Sequence, residues 1–140
     1  KELKAKGYFM IALSGSFHEV VEPFAKHHGF DLIFGEETVR KNGKLTNQRK
    51  MDTFHNKDLL IKGMVSENNL TLKDSWAIGD SLNDASMLAM VDNPVAFNPE
   101  IQLLKEAKKR GWKIVVERKN VVYELEERDG SYLLAEAKPR

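Results

Sequence analysis

Between positions 79 and 84 the chain reads Gly-Asp-Ser-Leu-Asn-Asp, preceded by Asp74-Ser75-Trp76-Ala77-Ile78 and followed by Ala85-Ser86-Met87-Leu88-Ala89-Met90. The first flank has the length and composition of a short buried strand, and the second reads as a helix. Two carboxylates, Asp80 and Asp84, therefore fall where a strand hands over to a helix. Four residues separate them, about 6 Å along a helix axis. In open α/β sheets this carboxyl end of the strands is where ligands bind. Paired carboxylate oxygens there suit a hard cation such as Mg2+, which takes one or two protein carboxylates together with phosphate oxygens. The plainer reading is a capped turn, because Asp and Ser are ordinary helix caps and acid is favoured in a first helical turn.

Two upstream elements favour the phosphate reading by their order. Tyr8 to Leu13 is an apolar run that ends in Ser14-Gly15-Ser16, after which Phe17, Val20, Val21, Phe24 and Ala25 recur on one helical face. Ser16 and Glu19 have the spacing of a capping box. Ser14 is expected at the strand's last position, with Gly15 permitting close backbone approach. A hydroxyl and amide groups at a helix start form a small anion cradle, and a purely structural Ser14 is the competing reading. Further on, His55-Asn56-Lys57-Asp58 looks like the opening of a helix just before the aspartate strand. A lysine there can reach a phosphate as a mobile point charge. With 22 Lys and Arg in the chain, a solvated surface lysine is the default for any one of them.

Taken in order, strand–Ser14, helix–Lys57 and strand–Asp80-x-x-x-Asp84 resemble the haloacid dehalogenase superfamily of phosphatases, nearest its phosphoserine phosphatase-like branch. Leu13-Ser14-Gly15-Ser16 is similar to the second motif of that superfamily, Lys57 has the place of the third, and Gly79 to Asp84 matches the fourth at every defined position. The stretch from Val20 through Phe24 to Gly29-Phe30-Asp31 is also similar, so the resemblance covers about residues 1–118. It implies a three-layer, Rossmann-like α/β core with a parallel sheet. It further implies a Mg2+-dependent phosphomonoester hydrolase working through an aspartyl phosphate. Ser14 would bond the transferring phosphoryl group with Gly15 beside it, and Lys57 would neutralise charge on phosphate and nucleophile. Asp80 would ligate the metal, and Asp84 would act next to it through a bound water or by holding Lys57. Asn83 would help to position phosphate or metal. Phosphoryl transfer asks a protein mainly for such positioning and charge stabilisation.

The first motif of that superfamily, Asp-x-Asp-x-Thr/Val, has no counterpart here. Residues 1–7 read as the last turn of a helix closed by Gly7, and the second-motif strand follows directly. The resemblance thus implies a core-domain fragment lacking the first strand, its nucleophile and the cap, and a chain that does not turn over substrate alone. Because the missing strand would lie mid-sheet, its removal leaves two edges, which invites pairing with the protein's own N-terminal segment or a second copy. A different class of reading is a catalytically silent phosphate- or metal-binding scaffold. A phospho-receiver domain also uses carboxylates and a lysine, but does not require this late motif.

Composition bounds the rest. A single domain over residues 1–140 is expected, 41% hydrophobic and 31% charged. A net charge of +1 gives no nucleic-acid footprint, and no apolar run has membrane-spanning length. The absence of cysteine and the family implied point to a cytoplasmic protein acting on a small phosphorylated substrate. Asn42-Gly43 signals a hairpin. Pro94 to Phe97 reads as a strand, and Asn98-Pro99 as a cap and first position of a helix with Ile101, Leu104 and Ala107 inward and Gly111 at its end. Trp112 to Val116 reads as another strand. Residues 119–140 form an extension, either helical or a hairpin turning at Asp129-Gly130. His18, His27, His28 and His55 have no paired ligand at a useful spacing, and Pro23 lies inside a helix.

Overall fold

Strands and helices alternate along the chain, as the apolar periodicity requires, in a computed structural model that describes residues 2–51, 53, 56–119 and 121–139. The reading at His55 lies outside these residues. Two compact units are formed, Lys1–Leu60 and Ile61–Arg140, with the division inside helix α3 (Lys57–Glu67).

The first unit opens with α1 (Glu2–Ala5), which closes at Gly7. At φ 82° Gly7 occupies the left-handed region that lacks a Cβ penalty. Strand β1 (Ile11–Phe17) runs parallel to β2 (Leu32–Lys41), and α2 (His18–His27) connects them. Asp31 fixes the start of β2. Its carboxylate pairs with the Lys4 ammonium and accepts from the Met10 amide at 2.7 Å, and these two contacts, Lys4 foremost, hold its pKa below the usual carboxylate value. Asn42 and Gly43, at φ 51° and 75°, make the two-residue turn from β2 into antiparallel β3 (Lys44–Met51).

The boundary between β1 and α2 differs from expectation. Leu13 pairs with Phe34 but Phe17 with Glu36, so Ser14, Gly15 and Ser16 stand opposite Gly35 alone. This bulge carries the strand to Phe17 and leaves Ser14 inside it rather than at its end. Phe17 occupies the N-cap without a side-chain bond, and the Ser16–Glu19 capping box does not form. Glu19 instead faces Arg40 at 3.6 Å. On α2, Ala25 is wholly buried while Val20 and Phe24 remain 67% and 65% exposed, so only part of its apolar face is covered.

The second unit is a five-stranded sheet in the order β4 (Trp76–Gly79), β5 (Asn93–Phe97), β6 (Lys113–Arg118), β7 (Val121–Arg128), β8 (Ser131–Pro139). The first three strands are parallel and the last two antiparallel. The parallel α/β arrangement expected from the sequence is present, and hairpins extend both sheets. The ambiguous extension is a hairpin with Asp129 and Gly130 at φ 51° and 78°.

Strand β4 is an outer strand: Ala77 is buried, but Trp76 and Ile78 are exposed, so it is not the fully buried strand its apolar residues suggested. After a 3-10 turn at Leu82–Asp84 comes α4 (Ala85–Leu88), whose Met87 and Leu88 are buried. Helix α5 (Ile101–Arg110) buries Leu103 and Ala107, one turn apart, and exposes Ile101, so its inward face is rotated from the one read in the sequence. Leu88, Leu103 and Ile114 are wholly buried, each worth about 1.5–3 kcal/mol of transfer free energy. Gly111 ends α5 at φ 67°, as expected.

Candidate functional site

Strand β4 delivers Gly79 to the carboxyl end of the parallel sheet, and the chain then turns through Asp80 to Asp84 into α4. Asp84 is buried at 4% exposure. Its Oδ2 accepts from the backbone amides of Asp80 and Ser81, each at 3.0 Å, and from the Ser81 hydroxyl at 3.2 Å. The Asp84 amide returns to the Ser81 carbonyl at 2.9 Å. A carboxylate reaching back to the N-cap amide from the third helical position is the acidic half of a capping box.

Gly79 makes this possible. A Cβ there would lie 2.4 Å from Asp84 Cβ and 2.8 Å from its Oδ2, closer than side-chain atoms approach. Asp84 Oδ2 is therefore committed to the turn's own backbone. The Oδ2 atom of Asp84 thus serves the amides that shape the turn, while the residue also engages a further partner.

Glu100 adds a second hold. Its carboxylate Oε1 accepts from the Leu82 amide at 2.7 Å, and its own amide donates to the Asp80 carbonyl at 2.8 Å. Three successive amides, at Asp80, Ser81 and Leu82, thus end on carboxylates. In contrast, the Asp80 carboxylate is exposed and makes no hydrogen bond or ion pair with a described residue. The Asn83 side chain, half-buried, likewise makes none. Asp80 borders an open depression of about 310 Å3 lined by Ile78, Gly79, Phe97 and Asn98. One unpartnered carboxylate on a rigid turn, beside space for water and a ligand, fits a hard cation that keeps most of its coordination for water and substrate oxygens. Among the described residues no cluster of three or more His, Cys, Asp or Glu forms a closed metal cage.

Asn98 and Glu100 were not legible as site residues. Asn98 does not cap α5: it sits at φ 45°, and its Oδ1 accepts from the Glu117 amide at 2.7 Å. Glu100 takes the N-cap instead, and Pro99 lies before the helix. An acid at a helix start was the available signal, but its partners lie 18 residues away.

In the first unit, Ser14 and Gly15 lie in the bulge of β1. The Ser14 Oγ accepts from the Ser16 amide at 3.1 Å, and Gly15 is exposed. The Ser14 carbonyl accepts from the Thr53 hydroxyl at 2.6 Å, and Thr53, wholly buried, also lies 3.1 Å from Glu36 Oε1. Lys57 is the first residue of α3, 7% exposed and electrostatically engaged, unlike the solvated surface lysine that is the default for its type. The buried polar set Glu36, Thr53 and Lys57 gave no local sequence signal beyond Lys57 itself.

A family model described as haloacid dehalogenase-like hydrolase matches residues 1–89. The phosphoserine phosphatase of Lactococcus lactis is 35% identical over 98 residues, 68% of this chain and 45% of that protein. The phosphoserine phosphatase of Methanocaldococcus jannaschii is 30% identical over 99 residues, 69% of this chain and 47% of that protein. A solved structure described as a phospho-aspartyl intermediate analogue of phosphoserine phosphatase superposes with a TM-score of 0.68 at 28% identity, covering 84% of this chain and 55% of that one. The chain spans about half the length of the curated relatives it matches. With the family model extending over more than half of its residues, this chain belongs to the haloacid dehalogenase-like hydrolases.

Proposed function

We propose that the protein is a Mg2+-dependent phosphomonoesterase that works through an aspartyl phosphate on a nucleophile outside residues 1–140. The observation that carries this reading is the unpartnered carboxylate of Asp80, held out at the end of a parallel strand by a turn whose amides are already occupied. A Mg2+ ion at Asp80 would neutralise phosphate charge and favour attack at phosphorus. Asp84 shapes the turn that presents Asp80, and Asn83 offers an amide beside it. Ser14 and Gly15 supply hydroxyl and backbone groups for phosphoryl oxygens, and Lys57 a positive charge. Phosphoserine, the compound in the relatives' names, is the first substrate to test among small phosphomonoesters.

A further strand, from a segment matching the relatives' remaining half or from a second copy, would pair with an open sheet edge. What supports this is that β1 and β4 are each the outer strand of their sheet. Among the described residues no helix is long and apolar enough to cross a membrane; a cytoplasmic setting is proposed from the family alone. The test is hydrolysis of p-nitrophenyl phosphate and phosphoserine by this chain combined with a polypeptide carrying Asp-x-Asp-x-Thr. Turnover should require Mg2+ and fall at least about a hundredfold in Asp80→Asn, the order of losing one transition-state charge contact. Undiminished turnover in Asp80→Asn would refute the assignment.

A further inference from the structure

Asp80 is exposed and follows a four-residue outer strand, a place where a backbone would ordinarily be mobile. Its neighbours nevertheless hold it at four backbone points. Asp84 holds the amides of Asp80 and Ser81, and Glu100 holds the Asp80 carbonyl and the Leu82 amide. The Asp84 contacts are local, within four residues. The Glu100 contacts span 18 and 20 residues and tie the turn to the first turn of α5. That helix is itself anchored, because Leu103 and Ala107 are wholly buried.

We propose that Glu100 is a positioning residue for Asp80: it fixes backbone groups of the turn that Asp84 does not hold, so that the Asp80 carboxylate stays directed to the cation. The inference rests on the reading of Asp80 as the cation carboxylate. The contact needs an acceptor oxygen and a backbone amide, not a negative charge. Glu100→Gln keeps both, whereas Glu100→Ala keeps only the amide.

The test uses this chain, its two substitutions and Asp80→Asn. Hydrogen exchange of the Leu82 amide is followed by NMR without metal, and Mg2+ binding is followed by calorimetry with Mg2+ alone. Glu100→Ala should speed Leu82 exchange about tenfold and weaken Mg2+ binding severalfold, while Glu100→Gln should leave both near the parent values. If Glu100→Gln keeps Leu82 protected but loses Mg2+ binding, Glu100 is a ligand and the proposal is overturned. If Glu100→Ala lowers the melting temperature yet leaves Leu82 exchange unchanged, Glu100 only caps α5, and the proposal is overturned likewise. If neither the parent chain nor any variant binds Mg2+, the Asp80 reading fails and positioning toward a cation fails with it. Leu82 exchange then still reports whether the clamp exists.

Discussion

Placing a methyl group at position 79 tests the architecture of the turn directly. In Gly79→Ala the new Cβ would lie 2.4, 2.7 and 2.8 Å from Cβ, Cγ and Oδ2 of Asp84. Asp84 is buried and held by two amides, so the clash cannot be relieved by a simple rotation into solvent. Overpacking of this kind costs about 1–3 kcal/mol, and displacing a carboxylate from amide donors adds about 1.5 kcal/mol or more. Gly79→Ala should therefore cost about 3 kcal/mol. Asp84→Gly, which leaves the same amides without their acceptor, should cost about 2–4 kcal/mol. The two effects share one cause, so they should not add. In the Asp84→Gly background, where both the Cβ and the carboxylate of residue 84 are gone, the methyl group meets neither, and Gly79→Ala should cost about 1 kcal/mol or less, a coupling of about 2 kcal/mol. Both tryptophans, Trp76 and Trp112, lie in the second unit, so urea unfolding followed by their fluorescence reports the unit that holds the turn. Additive costs, within about 0.5 kcal/mol, would refute the contact between Gly79 and Asp84 and the account of the turn built on it.

Gly35→Ala should destabilise the first unit by about 2–3 kcal/mol, because its Cβ would lie 2.6 Å from the Cα and 2.7 Å from the amide nitrogen of His18, backbone atoms that cannot swing aside; a lowered urea midpoint by far-UV circular dichroism checks it. The depressed pKa of Asp31 means that its contribution to stability is present above the unfolded value, near pH 4, and is lost as pH falls through the lower folded value. Urea midpoints measured down an acid series should therefore fall less steeply in Asp31→Asn than in the parent chain.

Much of the fold was legible because it is set by residues close in sequence. Asn42-Gly43 and Asp129-Gly130 can adopt two successive positive φ values, which decides a tight hairpin wherever flanking strands exist. Gly7 and Gly111 mark helix ends for the same reason. Helix starts were read less well. Ser16 and Glu19 have the spacing of a capping box, but the bulge opposite Gly35 extends the strand through Phe17 and puts Ser16 out of register. Asn98 is a good cap by type, yet its side chain is taken by the Glu117 amide 19 residues away, and the cap passes to Glu100. Asp80, Asn83 and Asp84 lay within one motif and could be found together. Thr53 and Glu100 act through partners 39 and 18 residues distant, and no local pattern encodes such a meeting.

The saturation of the strand–helix turn has a consequence for the order in which its ligands arrive. A turn of this kind commonly greets an anion with outward amides. Here those of Asp80, Ser81 and Leu82 already face carboxylates of the same chain, so an approaching phosphate meets negative charge and no donor at these three positions. On the proposed reading of Asp80 as the cation carboxylate, the turn would be a conditional receptor. A phosphate would be drawn to it only after a cation had settled on Asp80, which would make loading sequential and tie phosphate occupancy of this turn to the supply of metal.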